Sequence, residues 1–320
     1  MTVHLVTGGA GFIGSHIVEA LVARGDRVRV LDNFSTGFRH NLAAFGDRVE
    51  LFEGDVTNES MVARAVAGVD CVFHQAALAS VPRSVKEPLA TNAACVTGTV
   101  TVLDQARRAG VRRVVYAASS SAYGDQPFSS KRETDLPSPL SPYAVAKLAG
   151  EHYCHAFYHT YGLQTVCIRY FNVFGPRQDP ASPYSAVIPL FISAMLRGQQ
   201  PVIYGDGLQS RDFTFVGNVV QGNLLAAEAP GAVGQTVNVA NGRATNLLQL
   251  IDLLNELLGT RVQPEFQPPR PGDVKHSLAD ITRAQQLLGY EPEITFEEGL
   301  RRSIDFYRKT LTRSASEGPS

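Results

Sequence analysis

No stretch of the sequence reaches the roughly 20 apolar residues that a membrane helix needs, and the chain enters a strand-like run at once, without a charged leader. Neither a membrane span nor a signal peptide is expected, and a cytoplasmic location follows from that reading. Charge of one sign is also missing. The 29 Lys and Arg stand against 30 Asp and Glu, a formal net charge of −1. Bulk electrostatic attraction to nucleic acid or to a membrane surface is thereby excluded. Cysteine is scarce: Cys71, Cys95, Cys154 and Cys167 form no CxxC or other metal-ligand spacing, and Cys71, Cys95 and Cys167 sit in apolar runs. Buried, reduced thiols in a cytosolic protein are expected. There is no internal repeat and no HExxH pattern. His152, His155 and His159 share a helix face around Cys154, but Tyr153, Phe157 and Tyr158 surround them, so the face reads as structural and no metal is expected. The pairs Arg107-Arg108 and Arg112-Arg113 read as a solvated helix end and the loop after it.

What is present is an ordinary globular composition, 44% hydrophobic and 18% charged over 320 residues, enough for one large domain or two smaller ones. The first half alternates between two periods. Val3 to Thr7, Val28 to Asp32, Val49 to Phe52, Cys71 to Phe73, Val114 to Ala118 and Thr165 to Tyr170 are short apolar runs, with helical segments between them. Runs of this kind fit strands buried on both faces, and their alternation with helices predicts an α/β fold with a doubly wound parallel sheet of Rossmann type. Helices are predicted from Phe12 to Ala23, from Tyr143 to Tyr161 after Pro142, from Val216 to Ala229, and within 246–258 and 280–310. One more strand is predicted from Thr236 to Ala240. Residues 173–215 are rich in Pro, Gly, Tyr and Ser and read as loops. The expected organisation is a cofactor-binding domain of residues 1–172 plus 216–240. A smaller, partly interleaved substrate domain follows, of residues 173–215 plus 241–311, with a disordered tail over 312–320.

Two constellations carry chemistry. Gly8, Gly11 and Gly14 are spaced GxxGxxG between a strand and a helix. Without side chains the backbone turns sharply and approaches a pyrophosphate, which the free N–H groups and the positive end of the helix receive. The second strand ends at Asp32, whose carboxylate can accept both hydroxyls of an adenosine ribose and would repel a 2′-phosphate, so NAD is expected rather than NADP. Asp55, after the third strand, reads equally as an adenine contact or as a turn cap. The second constellation is Tyr143 and Lys147, at i and i+4 on one helix face. A phenol is a poor base at neutral pH, and a neighbouring ammonium lowers its pKa. Ser119, Ser120 and Ser121 follow a strand at the carboxyl edge of the sheet, where open α/β sheets bind ligands.

The segments TGGAGFIGS at 7–15, YAASSSAYG at 116–124, SPYAVAK at 141–147 and RYFNVFGP at 169–176 resemble the extended short-chain dehydrogenase/reductase family. Within it, HQAALASVPRSV at 74–85, SRDF at 210–213 and PPRPGDVKHSLAD at 268–280 resemble UDP-hexose 4-epimerases, closest to the bacterial type active on UDP-N-acetylglucosamine. The resemblance spans residues 3 to about 310. It implies that Tyr143 is the acid/base, Ser119 its hydroxyl partner and Lys147 the residue that positions the cofactor and tunes Tyr143. It places Gly8, Gly11, Phe12, Ile13, Gly14, Asp32, Asn33, Ser35, Thr36, Gly37, Asp55, Val56, Gln75, Ala77, Tyr143, Lys147 and Phe171 around NAD. Asn172, Val187, Arg211, Arg270 and Asp273 would hold the UDP moiety, and Ser80, Arg83, Ser120, Ser121 and Ser277 would border the sugar. Members restricted to the plain hexoses tend to have tyrosine where Ser277 stands. The implied reaction is inversion at C4 of a UDP-hexose through a 4-keto sugar. The implied assembly is a homodimer through a four-helix bundle of the helix over roughly 88–108 and the one that bears His152. One departure is Cys95, which stands where the family often has asparagine; Asn92 lies one helical turn earlier.

Rival activities of the same family include UDP-glucuronate epimerisation or decarboxylation and 4,6-dehydration. A dehydratase needs an acidic pair just before Tyr123, and Ser121-Ala122 occupy that place. A decarboxylase usually carries Glu in the same loop, which is absent. A non-catalytic NAD-binding regulator has no need to keep Ser119, Tyr143 and Lys147 together.

Overall fold

The computed structural model describes residues 2–126, 130–180, 186–269 and 275–316, the last five as backbone only. The predicted alternation forms one sheet. Its strands are β1 (Val3–Thr7), β2 (Arg27–Asp32), β3 (Val49–Glu53), β4 (Cys71–His74), β5 (Arg113–Ser119), β6 (Gln164–Tyr170) and, after a long excursion, β11 (Gln235–Val239). They lie in the order β11-β6-β5-β4-β1-β2-β3, and every pair is parallel. The order reverses between β1 and β4, the switch point at which such sheets open a ligand crevice at their carboxyl edge.

One face of the sheet is covered by α1 (Phe12–Ala23) and α8 (Val216–Glu228), which share a core with Val30, Val115 and Ile168. The other face packs α2 (Glu59–Val66), α5 (Gly98–Arg108) and α6 (Pro142–Tyr161) over Leu5, Val72 and Val114. Before α5 run α3 (Val81–Lys86) and α4 (Pro88–Asn92), and a π-turn at Ala93–Thr97 joins α4 to α5. β4, β5 and β6 are buried on both faces, as the apolar runs implied. β3 departs from that expectation: it is an edge strand with no residue buried, so its apolar residues cover less than a central strand would. Arg113 also departs. It is buried at the start of β5, where it donates to Gln164 Oε1 (2.9 Å) and to the carbonyls of Ala226 (3.1 Å) and Ala229 (3.0 Å). Its charge is thus absorbed by the end of α8 rather than by solvent.

Between β6 and β11 the chain builds a second core. Here stand β7 (Val173–Phe174), α7 (Val187–Leu196), β8 (Val202–Tyr204), β9 (Ser210–Asp212) and β10 (Thr214–Phe215). After β11 come β12 (Ala244–Asn246), α9 (Leu247–Leu258), β13 (Glu265–Gln267), β14 (His276–Ser277), α10 (Thr282–Leu288) and α11 (Phe296–Ser316). Phe174, Phe191, Phe213, Phe215, Leu250, Leu254 and Leu300 fill this core. The region 173–215 is therefore not simply loops, because α7 inserts there. Ala284, Leu288 and Tyr290 pack with the core of the large sheet instead, so the stretch after β14 returns to the first unit. The expected tail is helical as far as Ser316, since no Gly or Pro stands between Gly299 and Gly318; residues 317–320 lie outside the described residues. Among the described residues no helix is long and apolar enough to cross a membrane.

Candidate active site

A cavity of about 560 Å³ opens at the switch point. Gly8 begins it: its φ of +68° makes the turn after β1, and a Cβ there would stand 2.7 Å from the backbone nitrogen of Ala76. A Cβ on Gly14 would run into the carbonyl oxygen of Gly8, so only glycine lets α1 start against the loop that precedes it. Gly11 is the N-cap of α1, with no side-chain cap to compete for its free N–H groups.

Asp32 stands at the end of β2 and lines the cavity. Its Oδ2 accepts the Ala10 N–H (2.9 Å) and its Oδ1 the Phe34 N–H (2.8 Å). Burial pushes its carboxyl up and those two N–H groups oppose the push. A carboxylate has about four lone-pair sites, so two remain for ribose hydroxyls. Asp55 is a turn cap, one of the two roles its sequence context allowed, and stands on the cavity wall. It accepts Thr57 N (2.8 Å), Thr57 Oγ1 (2.7 Å) and Asn33 Nδ2 (2.7 Å). Against the upward push of burial, those bonds hold it below the usual carboxylate range.

At the other end of the cavity stand Tyr143 and Lys147. Ser141 caps α6 by accepting the Ala144 N–H (3.2 Å), and Pro142 occupies the first turn, which fixes where Tyr143 emerges. Tyr143 keeps some surface toward the cavity, but its phenol is enclosed, and the loss of solvation pushes its pKa up. The hydrogen bond to Ser119 opposes that push. Ser119 itself is saturated as an acceptor: Ser121 gives it an O–H (2.8 Å) and an N–H (3.2 Å). With both lone pairs engaged, the Ser119 proton is left to point at the phenol oxygen. Lys147 is buried, its Nζ donates to the Ala117 carbonyl (2.7 Å) and lies 5.1 Å from the centre of the Tyr116 ring. Burial lowers its pKa. The sequence reading made Lys147 the group that tunes Tyr143; in the structure Ser119 is the group bonded to the phenol, and Lys147 is tied to β5.

Phe12, Ile13, Asn33, Ser35, Thr36, Val56, Gln75, Ala77 and Arg83 also line the cavity. Two residues assigned to NAD do not. Gly37 lies behind the phosphate loop, where a Cβ would stand 2.8 Å from the Ala10 backbone, and Phe171 is buried in a cluster with Tyr123, Ala240 and Ala279. Their apolar or absent side chains are used for packing. Ser80 is spent as the N-cap of α3, accepting the Arg83 N–H (3.1 Å), and Ser120 begins the short turn to Tyr123. Asn172, Arg211 and Ser277 gather outside the cavity. Arg211 and Ser277 are in register on β9 and β14, and Asn172 Nδ2 donates to the Asp212 carbonyl (3.2 Å). Val187 starts α7. Arg270 and Asp273 lie outside the described residues. Cys95 is buried in the π-turn, and Asn92 is exposed on the preceding helix, so it does not take over a buried role.

The sequence reading missed Tyr170, which lines the cavity at the end of β6. Its hydroxyl bonds Gln75 Oε1 (3.1 Å) and Asn223 Oδ1 (2.9 Å). Its place at the carboxyl end of a central strand was the available signal. Also missed were Ala90, Ala93 and Ala94, small residues that line the cavity.

The glycine turn, the N-terminus of α1 and Asp32 together fit a dinucleotide. A family model, the NAD-dependent epimerase/dehydratase family, matches residues 4–240. The chain belongs to this family. Like its other members, it takes NAD as cofactor. The UDP-glucose 4-epimerase of Mycolicibacterium smegmatis is 40% identical over 309 residues, covering 95% of this chain and 98% of that protein. A UDP-N-acetylglucosamine 4-epimerase from Methanobrevibacter ruminantium, solved with UDP-N-acetylmuramic acid, superposes with a TM-score of 0.93. It is 40% identical and covers 97% of this chain and 99% of its own. A UDP-glucose 4-epimerase from Thermotoga maritima, solved with UDP-glucose, superposes at 0.92 with 39% identity over 97% of this chain and 100% of its own.

Proposed function

We propose that the protein is an isomerase that inverts C4 of UDP-hexoses, and that it accepts both N-acetylated and plain sugars. The observation that carries the reading is the Tyr143 phenol at the cavity wall, held by a Ser119 hydroxyl whose own lone pairs are engaged. Bound NAD supplies hydride uptake and return at the sugar C4, by way of a 4-keto sugar. Tyr143 takes the proton of the 4-hydroxyl and later returns it. Ser119 donates to the phenol oxygen and so favours its charged form. Lys147, with one N–H on Ala117, has two more to hold a ribose. Asn172, Val187 and Arg211, with Arg270 and Asp273, hold the UDP portion, and Arg83 reaches the sugar from α3. Mass spectrometry and proton NMR of the product from UDP-glucose and from UDP-N-acetylglucosamine test the reading. Unchanged mass with an inverted C4 supports it, and loss of water or of carbon dioxide, or no conversion, overturns it.

Acceptance of the acetylated sugar rests on Ser277. It pairs with Arg211 and is small enough to leave room for a C2 acetamido group on either face of the turning ketose. Ser277→Tyr is expected to lower kcat/KM for UDP-N-acetylglucosamine at least about tenfold relative to UDP-glucose, because the clash acts on the larger sugar alone. If the ratio of the two kcat/KM values is unchanged in the variant, Ser277 does not select the sugar.

A homodimer through α4–α5 and α6 is supported by the apolar side chains left exposed on and beside these helices: Leu89 on α4, with Val81 and Val85 on the preceding α3, and Val145 and Tyr153 on α6. Sedimentation velocity of the purified chain tests it, and a monomer at micromolar concentration rejects it. The four buried free thiols support a cytoplasmic setting.

A further inference from the structure

Asp212 closes β9 and has no solvent-exposed surface. A buried carboxylate is costly unless several donors satisfy it, and here the donors come from separate segments. Oδ1 accepts the Asn241 N–H (3.0 Å), and Oδ2 accepts the N–H groups of Gly242 (3.0 Å) and Ala279 (3.3 Å). The Arg243 N–H joins them. The backbone carbonyl of the same residue accepts Asn172 Nδ2 (3.2 Å). Burial pushes the carboxyl up to about 6, with all four N–H groups opposing it.

Apart from the loop at 241–243, the segments tied to Asp212 are among those that the proposed function sets against the UDP-sugar. Arg211 precedes Asp212, and its Nη1 donates to the Lys275 carbonyl (3.2 Å). Ser277 stands two residues before Ala279, on the strand in register with Arg211. Asn172, whose φ of +33° departs from the usual range, is held in place by the Asp212 carbonyl. Asp212 itself does not line the NAD cavity. We infer that Asp212 is a positioning residue for the nucleotide-sugar half of the site: its carboxylate sets β9, which carries Arg211, against the strand that carries Ser277, and its backbone carbonyl holds Asn172, without touching substrate. The inference rests on the reading of those three residues as substrate-binding.

Asp212→Asn tests it, because the amide keeps the shape but turns one acceptor into a donor facing N–H groups. In the NAD-loaded enzyme, the Kd of UDP by calorimetry and the KM of the UDP-hexose are expected to rise about tenfold or more. The value of kcat should stay within about threefold, with NAD per chain unchanged, since Tyr143 and Ser119 stand on other elements. Unchanged Kd and KM overturn the inference. So does a fall of kcat and of NAD content in step with the rise in KM, which marks a general loss of structure. If the amide variant is insoluble, Asp212→Glu replaces it: charge and acceptors are kept but displaced by one methylene, and a rise in Kd of about threefold or more is expected. An unchanged Kd in that variant overturns the inference equally. A wild-type enzyme that ignores UDP overturns the substrate reading and the inference with it, whereas a UDP-binding wild type with an unaffected variant overturns the inference alone.

Discussion

Tyr143→Phe is expected to lower kcat by about a thousandfold, within the range assigned to loss of a positioned acid/base, while the protein keeps its NAD. The phenol oxygen is the only atom removed. The ring, Lys147 and the glycine turn that shape the cofactor cavity remain. Ser119 would be left with a proton and no phenol oxygen to receive it, because its lone pairs stay occupied by Ser121. A coupled assay with UDP-glucose gives kcat, and the absorbance of released nucleotide after denaturation gives the NAD content. Turnover within tenfold of wild type would remove Tyr143 from the chemistry.

The second large effect is expected at a pair that does not line the cavity. Arg169 on β6 and Glu151 on α6 form a bidentate pair, with Nε to Oε2 at 3.0 Å and Nη2 to Oε1 at 2.6 Å, and both side chains are at most 5% exposed. The guanidinium also lies 4.5 Å from the centre of the Tyr123 ring. Breaking a buried pair by deleting one partner costs about 3–5 kcal/mol, because the other charge is stranded. Arg169→Ala is therefore expected to lower Tm by roughly 6–20 °C at 2–4 °C per kcal/mol. The double variant Arg169→Met with Glu151→Leu should recover most of that loss, since an apolar pair of similar volume leaves no charge behind. Differential scanning calorimetry decides the matter, and an Arg169→Ala protein melting within about 2 °C of wild type would refute it. Glu151 stands one helical turn beyond Lys147, so the same pair pins the helix that carries the catalytic tyrosine.

What the sequence revealed and what it concealed have a common physical origin. Strands buried on both faces must be apolar throughout, and helices between parallel strands must be long enough to cross back. The central sheet, its α/β alternation and the phosphate turn were therefore readable from local runs. Local signals also marked α6: Ser141 and Pro142 at its start, Gly162 with φ +71° at its end. By contrast, α7 has no capping side chain, and its residues Val187–Leu196 are apolar almost all round, so the helical period is hidden among the Pro and Gly around it. The Arg169–Glu151 pair was invisible because nothing local indicates that an arginine in a strand faces inward to a partner 18 positions away. Ser80 and Ser119 illustrate the same limit at the site. Both are serines in motifs, but one is consumed as a helix cap and the other is bonded to the phenol, and only their partners distinguish them.

The position of β11 at the end of the sheet has a bearing on how the protein is made. This strand is the neighbour of β6, yet the whole of β7 to α8 is translated between them. At about 5–20 residues per second the ribosome leaves the outer edge of β6 without a partner for roughly 3–13 s. In that interval a strand buried on both faces in the finished protein presents open N–H and C=O groups to any other nascent chain. The cofactor unit is thus unfinished at the moment its phosphate turn, its acid and its catalytic pair have all left the exit tunnel, and it is closed only by residues that emerge after the start of the second core.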